Sequence, residues 1–300
     1  IFSDETKALK KKFEYDSELI FFSLSPDFSN VSSNVIVSGQ NPQDQIYCLY
    51  QNILEQEVSK LLLIHHSDKY GEIVKDTLLQ NYTNSLNSSL DLEFFEISNN
   101  MDLNKKIKDL SKFESRKKIL KNKIKLIQKD PNLSKEQKSK QVKKMERQLT
   151  DTVPFDSIII ASEGDKLLEI LSHLAFYDIN ADNTLIYGTS LWEDTKKLDN
   201  VYINSFFVTN LKRRSKEFAD SYKDVFSKDP VSFNFHLFDL IELVKEFKNS
   251  AMNNPENMMF KGKFSSSQIK SGLMKRETFV KKIKKNGQLE IVFSCKVDVL

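Results

Sequence analysis

From Ser17 to about Val208 the sequence alternates short β-rich runs with amphipathic helical patterns. No other feature constrains the fold as strongly, because a strand, a crossover helix and a second parallel strand form a right-handed unit whose sheet is covered on both faces. The class predicted is α/β with mostly parallel sheets. Leu19 to Ser23 reads as a buried strand that ends before Pro26, since proline cannot donate to a ladder. Val35 to Ser38 reads as a second short strand stopped by Gly39. Asn41-Pro42 supplies a cap and a first-turn proline, and Ile46, Tyr50, Ile53 and Leu54 then share one helical face. Lys60 to Ile64, Leu90 to Ile97, Phe155 to Ala161 and Thr184 to Tyr187 are the further strands of this region. Helices are predicted over Ile73 to Gln80, from about Asp102, and along the face of Leu167, Ile170, Leu171 and Leu174. Beyond Val208 the pattern gives helices over Leu211 to Phe226 and Ser232 to Lys248, an irregular stretch from Asn253 to Ser267, and a terminal ribbon. In the ribbon, Phe279 to Lys284 and Leu289 to Phe293 flank Asn286-Gly287, a pair suited to a type I′ turn.

Several function classes are excluded by what the chain lacks. It has 7 glycines in 300 residues and no GxGxxG or GxxxxGK[ST], so standard dinucleotide and P-loop sites are absent and no cofactor is predicted. The 2 cysteines, Cys48 and Cys295, have no CxxC or Cys/His spacing, so no metal site is predicted. Cys48 reads as a small core residue of its helix, and spacing alone leaves open whether it pairs with Cys295. The histidines His65, His66, His173 and His236 sit in no HExxH, and no GxSxG elbow occurs, so no reaction is predicted. No apolar run is long enough to span a bilayer. The chain begins at Ile1 without an initiator Met, which places any targeting segment upstream or removes it, and the compartment is not legible from it.

Charge is segregated. Residues 101 to 150 hold 17 Lys/Arg and 6 Asp/Glu in a chain whose net charge is only +3. Phe113, Leu120, Ile124 and Ile127 follow helical spacing, Asp130-Pro131-Asn132 breaks it, and Val142, Met145 and Leu149 resume it. An antiparallel helical hairpin over 112–150 is predicted. It is either a solvated appendage or, through lysines such as Lys117, Lys118, Lys121, Lys143 and Lys144, a docking arm for an acidic partner or anionic head groups. Without interleaved aromatics it is not predicted to bind nucleic acid.

Four glycines, Gly39, Gly71, Gly164 and Gly188, fall just after predicted strands. At the strand ends of an open α/β sheet a residue without Cβ either lets backbone NH groups approach a ligand or simply makes a tight turn.

The strand-end sequences Ile20 to Pro26 (IFFSLSP), Lys60 to Gly71 (KLLLIHHSDKYG), Phe155 to Gly164 (FDSIIIASEG) and Leu185 to Trp192 (LIYGTSLW) resemble the type I periplasmic-binding-protein superfamily of leucine/isoleucine/valine-binding proteins. Within it, the hairpin before Phe155-Asp156, the Phe176-Tyr177-Asp178 helix end and the Gly188 to Trp192 run are similar to the penicillin-binding-protein activator branch. The resemblance implies two Rossmann-like lobes with a ligand cleft between them, the first lobe incomplete because the chain starts late. On this mapping residues 1–33 and 209–261 form the first lobe, 34–208 the second with the hairpin, and 262–300 a ribbon near the hinge. The implied cleft positions are Ser23, Ser25, Tyr70, Ser162, Glu163, Gly188, Thr189 and Ser190. In amino-acid binders of this kind hydroxyls hold the ligand carboxylate, an aromatic covers it and an acidic residue takes the ammonium. The function implied is a non-enzymatic periplasmic domain that regulates peptidoglycan synthesis by contacting a cell-wall synthase or other envelope protein, with an amino acid or short peptide as a further ligand. A lipid anchor upstream of Ile1 is one form of that placement. The alternative is the substrate-binding protein of an amino-acid ABC transporter, and a third reading is an enzyme centred on His65 or His66.

Overall fold

The computed structural model describes residues 3–13, 19–85, 89–98, 101–195, 202–249, 255–285 and 287–297. Within them the chain runs α1 (Ser3–Lys12), β1 (Phe21–Ser23), β2 (Val35–Val37), α2 (Pro42–Leu54), β3 (Lys60–His66), α3 (Lys69–Asn84), β4 (Asp91–Ile97), α4 (Leu103–Leu110), α5 (Phe113–Lys129) and α6 (Lys135–Glu146). It continues through β5 (Ser157–Ala161), α7 (Gly164–Phe176), β6 (Leu185–Gly188), β7 (Phe206–Thr209), α8 (Lys216–Phe226), α9 (Ser232–Asn249) and the strands β8 (Met259–Lys261), β9 (Ser266–Lys270), β10 (Leu273–Arg276), β11 (Thr278–Ile283) and β12 (Leu289–Cys295). The strands form two sheets, a five-stranded one in the order β1-β2-β10-β9-β8 and a seven-stranded one in the order β12-β11-β7-β6-β5-β3-β4. The fold is therefore α/β with two sheets, as the alternation predicted.

The larger sheet explains the near-continuous apolar runs. β4, β3, β5, β6 and β7 are parallel neighbours, and alternate residues of β3 and β5 enter two cores. Leu62, Ile64, Ile158 and Ile160 pack in one core with Leu167, Ile170, Leu171 and Leu174 of α7 and with Trp192. Leu61, Leu63, Ile159 and Ala161 pack on the opposite face with Ile46, Leu49 and Ile53 of α2 and Val74 and Leu78 of α3. The smaller sheet packs Ile36, Ile269, Met274 and Phe260 against Leu240 and Leu243 of α9.

Several boundaries differ from the sequence expectation. Val35–Val37 was expected in the second lobe, but β2 pairs in parallel with β1 and with β10, so the first sheet extends to residue 37. The stretch 253–267, expected to be irregular, holds β8 and the start of β9, whose polar alternation (Ser266, Gln268, Lys270 outward; Ser267 and Ile269 buried) hides the strand. The terminal ribbon leaves the hinge at Thr278 and then lies against β7, extending the larger sheet rather than staying at the hinge. Its β11–β12 pairing is antiparallel as expected, while Asn286, half of the predicted turn pair, lies outside the described residues. Leu211 is not helical; it is buried on the crossing segment, and α8 starts at Lys216, capped by Ser215.

Three segments cross between the sheets, after β2, after β7 and between β10 and β11. They are tied together by polar contacts. The buried Arg276 donates to the carbonyls of Ser38 (2.7 Å) and Gly39 (3.2 Å), and burial lowers its pKa to about 10. Asn210 donates to Thr278 Oγ1 (2.9 Å) and accepts from Gln45 Nε2 (2.6 Å). Lys275 of the smaller sheet pairs with Asp44 of α2 at 2.8 Å. A second brace is covalent: Cys48 in α2 and Cys295 at the end of β12 form a disulfide, with 5.7 Å between their Cα atoms. Cys48 is thus a cross-link and not merely a small core side chain.

The basic segment is two helices. α5 and α6 are joined across Asp130–Ser134, and Ser134 opens α6 with a reciprocal capping box with Gln137. At its base Arg116 turns inward, where it donates to the carbonyls of Ser111, Tyr177, Asp178 and Asp151 and to Thr150 Oγ1.

Candidate functional site

In the larger sheet the C-terminal ends of β3, β5 and β6 lie side by side, because all three strands are parallel. Whatever follows each strand is therefore gathered along one edge, the usual place for a ligand crevice in an open α/β sheet. After β3, Asp68 caps α3 by accepting from Gly71 N at 2.7 Å, and Tyr70 falls in its first turn. After β5 come Ser162 and Glu163, the residue that opens α7 without a side-chain cap. After β6 come Thr189 and Ser190.

Tyr70 is where these loops meet. Burial pushes its phenol up to about 12, with the Thr189 and Ser190 hydroxyls beside it pulling the other way and the Glu163 and Asp68 carboxylates adding to the rise. Tyr70 Oη and Thr189 Oγ1 are both buried, and neither has a partner among the described residues. Unsatisfied buried hydroxyls are uncommon and require a physical reason.

On its other side Tyr70 lines a cleft of about 450 Å³ together with Ser25, Pro26, Asp27, Phe28, Asn41, Pro42, Gln43, Lys69 and Ile73. Ser25 to Phe28 follow β1 of the smaller sheet, whereas the starts of α2 and α3 belong to the larger one, so this cleft lies between the two halves. Asn41 caps α2 by accepting from Gln43 N at 3.0 Å, so two helix N-termini border the cleft. A second opening of about 520 Å³ is lined by Glu163, Gly164, Asp165, Leu168, Leu191, Asp194 and Thr195. Asp194 is committed: it pairs with Arg214 and accepts from Ser232 N (2.8 Å) and Ser232 Oγ (2.6 Å), which holds this loop to the start of α9.

Of the residues expected at the cleft, Ser25, Tyr70 and Glu163 line an opening, and Thr189 and Ser190 flank the Tyr70 hydroxyl. Three do not present themselves to it. Ser23 is fully buried, and its hydroxyl accepts from Thr6 of α1 at 3.0 Å. The Ser162 hydroxyl is buried and shares a 2.8 Å hydrogen bond with His66 Nε2. Gly188 is filled by the protein itself, since a Cβ there would land on the Trp192 indole. Gly39 is similar: its missing Cβ makes room for the Ser25-Pro26 backbone, so the glycine serves the hinge rather than a ligand. Sequence reasoning missed Asn41, Lys69 and Phe28, although the Asn41-Pro42 cap was visible and the meaning of a cap at a cleft was the available signal. The hairpin lysines Lys118, Lys121, Lys143 and Lys144 are exposed, while Lys117 is half-buried with its ammonium 5.6 Å from the centre of the Phe113 ring.

Buried charge also collects beside the cleft. Glu193 accepts from Thr209 Oγ1 at 2.7 Å through one oxygen, and its other oxygen has no partner among the described residues. Burial raises its pKa to about 7 against the pull of Arg214, and burial lowers that of the neighbouring Lys281. Among the described residues no group of three or more His, Cys, Asp or Glu is placed to hold a metal ion.

No protein-family model matches the sequence, and no curated protein matches it. The structure, however, is similar to solved ones. The periplasmic ligand-binding protein of a branched-chain amino acid ABC transporter from Burkholderia xenovorans LB400 superposes with a TM-score of 0.68 at 11% identity, over 99% of this chain and 76% of that one. A leucine-binding protein from Thermotoga maritima MSB8 gives 0.59 at 12% identity, over 99% and 79%. An ABC-transporter solute-binding protein from Rhodopseudomonas palustris BisB5, solved with 3,4-dihydroxybenzoic acid, gives 0.62 at 10% identity, over 99% and 77%. The chain has the type I periplasmic binding protein fold.

Proposed function

We propose that the chain is a periplasmic solute-binding protein that holds a small organic carboxylate with an apolar body in the cleft between its lobes, as the receptor of an ABC-type uptake system. The observation that carries this reading is the 450 Å³ cleft, with Ser25 on one wall and Tyr70 on the other. Two helix N-termini and Lys69 favour an anion there, and Phe28, Pro26, Pro42 and Ile73 supply apolar walls. In this account Ser25 and Asn41 donate to the carboxylate, and the Tyr70 ring closes over the ligand body while its buried hydroxyl stays on the Thr189 side, away from the cleft. Glu163 lines the second opening and not this cleft, so the account gives it no contact with the ligand. The structural relatives are described with leucine, branched-chain amino acids and hydroxybenzoates, all of them carboxylates on an apolar frame. The disulfide supports an oxidising compartment, since such bonds persist outside the cytosol.

This reading takes precedence over the expected role in peptidoglycan synthesis. That role rests on a sequence resemblance carried by the hairpin, the Phe176-Tyr177-Asp178 helix end and the Gly188 to Trp192 run, and none of the relatives named above is described as a cell-wall regulator. The test is thermal unfolding against leucine, isoleucine, valine, 4-hydroxybenzoate and 3,4-dihydroxybenzoate. A ligand at 100 times its Kd stabilises the native state by about 2.7 kcal/mol, which is a rise of several degrees. A flat panel, combined with capture of a cell-wall synthase that disappears on deleting residues 112–148, would replace the solute reading with the regulatory one.

A further inference from the structure

The hairpin carries a surface the solute reading does not use. From Phe113 to Glu146 the sequence has 12 Lys/Arg against 4 Asp/Glu. On α5, Lys118, Lys121, Lys125 and Lys129 recur at spacings of three, four and four, so they form one stripe, and all four are exposed. None of them has an ion pair among the described residues; the nearby acidic groups are taken by other lysines, Glu114 by Lys108 and Asp151 by Lys123. Beside the stripe, Leu126 is 69% exposed and Ile119 44% exposed, one turn pair apart on the same flank. On α6, Lys140, Lys143 and Lys144 are exposed as well.

From this arrangement we infer that the outer face of the hairpin docks on an anionic phospholipid surface. Three features separate that occupant from an acidic protein. The stripe itself is all lysine: Arg116 is buried at the hairpin base and the exposed Arg147 lies at the C-terminal end of α6, outside the stripe on α5, so no guanidinium in the stripe is set to grip a carboxylate bidentately. No aromatic side chain lies on the stripe, whereas the centre of a protein interface is enriched in aromatics and Arg and depleted of Lys. A row of mobile ammonium groups flanked by exposed aliphatic side chains is instead the pattern of a helix lying in a charged lipid interface.

The position suits an anchor that leaves the cleft free. Arg116 roots the hairpin on Tyr177 and Asp178, at the C-terminal end of α7, while Glu163 and the cleft edge lie at its N-terminal end. A helix of 13 residues separates them by about 20 Å. Docking would then hold the protein at the membrane with solute access unobstructed, and it stands whether or not the solute reading does.

The test is sedimentation of the full chain with vesicles of phosphatidylcholine alone and with 30 mol% phosphatidylglycerol. Binding is expected only to the anionic vesicles, and it should vanish between about 0.05 and 0.5 M salt as the Debye length shrinks. Reversing the stripe (K118E, K121E, K125E and K129E together) should lower partitioning at least 100-fold, and Leu126→Ala should lower it a few-fold, with circular dichroism unchanged in both. Equal binding to the two vesicle types, no binding at low salt, an unaltered quadruple variant, or tighter binding to an acidic peptide or a DNA duplex than to anionic vesicles would each overturn the inference.

Discussion

Removing the Cys48–Cys295 bond tests how the larger sheet is held. The bond joins α2 to the edge strand β12 across a sequence separation of 247 residues. Closing a loop of that length in the unfolded chain costs about 5 kcal/mol at 25 °C on the chain-entropy account, and residual denatured structure brings measured values for native disulfides to about 2–5 kcal/mol. A domain of ordinary stability has about 5–15 kcal/mol in total, so the bond is a substantial fraction of it. The perturbation is the double variant Cys48→Ala and Cys295→Ala, compared with the oxidised protein in urea. With a slope of about 3 kcal/mol per molar urea, the midpoint should fall by about 1 M or more. The oxidised protein should also bind no thiol reagent even when unfolded, until a reductant is added. Labelling of both cysteines in the unreduced, unfolded protein, or a midpoint within 0.2 M of the parent, would refute the pairing and the brace built on it.

Two further outcomes follow from the buried groups at the cleft edge. Glu193 has its pKa raised from 4.5 to about 7, so the native state holds a proton that the unfolded chain has released between those values. Its stabilising contribution is complete below pH 4.5 and lost as pH rises through 7, a change of about 3 kcal/mol by linkage. Glu193→Gln, which stays neutral, should remove that slope: unfolding free energies of variant and parent measured from pH 4.5 to 8 should diverge in the variant's favour, and parallel curves would show that Glu193 is ionised and solvated. Gly188→Ala places a methyl group on the Trp192 indole and should destabilise the fold by about 1–3 kcal/mol or more, readable in chemical denaturation with Trp192 fluorescence as the probe. A neutral effect would mean that the strand end has room, and would restore Gly188 as a ligand-approach position.

The order of strands and helices was legible because its signals are local. Apolar runs such as Leu61–Ile64 and Ile158–Ile160 are buried on both faces and need no partner to be recognised, and the Asn41-Pro42 cap fixes the start of α2 by its own chemistry. What was hidden depends on distant residues. The strands β8 to β10 are short and polar on one side, so they become strands only through pairing with β2 and one another. The placement of Val35–Val37 is decided by β1 and β10, not by the tripeptide. At the candidate site, the family resemblance implied Ser25, Tyr70 and Glu163, which line openings, and equally Ser23 and Ser162, whose hydroxyls are taken by Thr6 and His66. A serine at a strand end has the same sequence signature whether its hydroxyl faces a cleft or a neighbouring helix. Likewise Arg116 is one basic residue among many in sequence, and only the fold turns it into the buried root of the hairpin.

The most direct measurement is calorimetric titration of the parent chain and Ser25→Ala with leucine and 4-hydroxybenzoate. Ser25 lines the cleft and is only half-buried, so removing its hydroxyl should leave thermal stability unchanged. A hydrogen bond to bound solute contributes about 0.5–1.5 kcal/mol, so affinity should fall about threefold to tenfold in the variant. Saturable binding by the parent with that loss in Ser25→Ala is the predicted result; no heat from either solute, or equal affinity in the two proteins, would contradict the claim that the cleft between Ser25 and Tyr70 is where this chain takes its ligand.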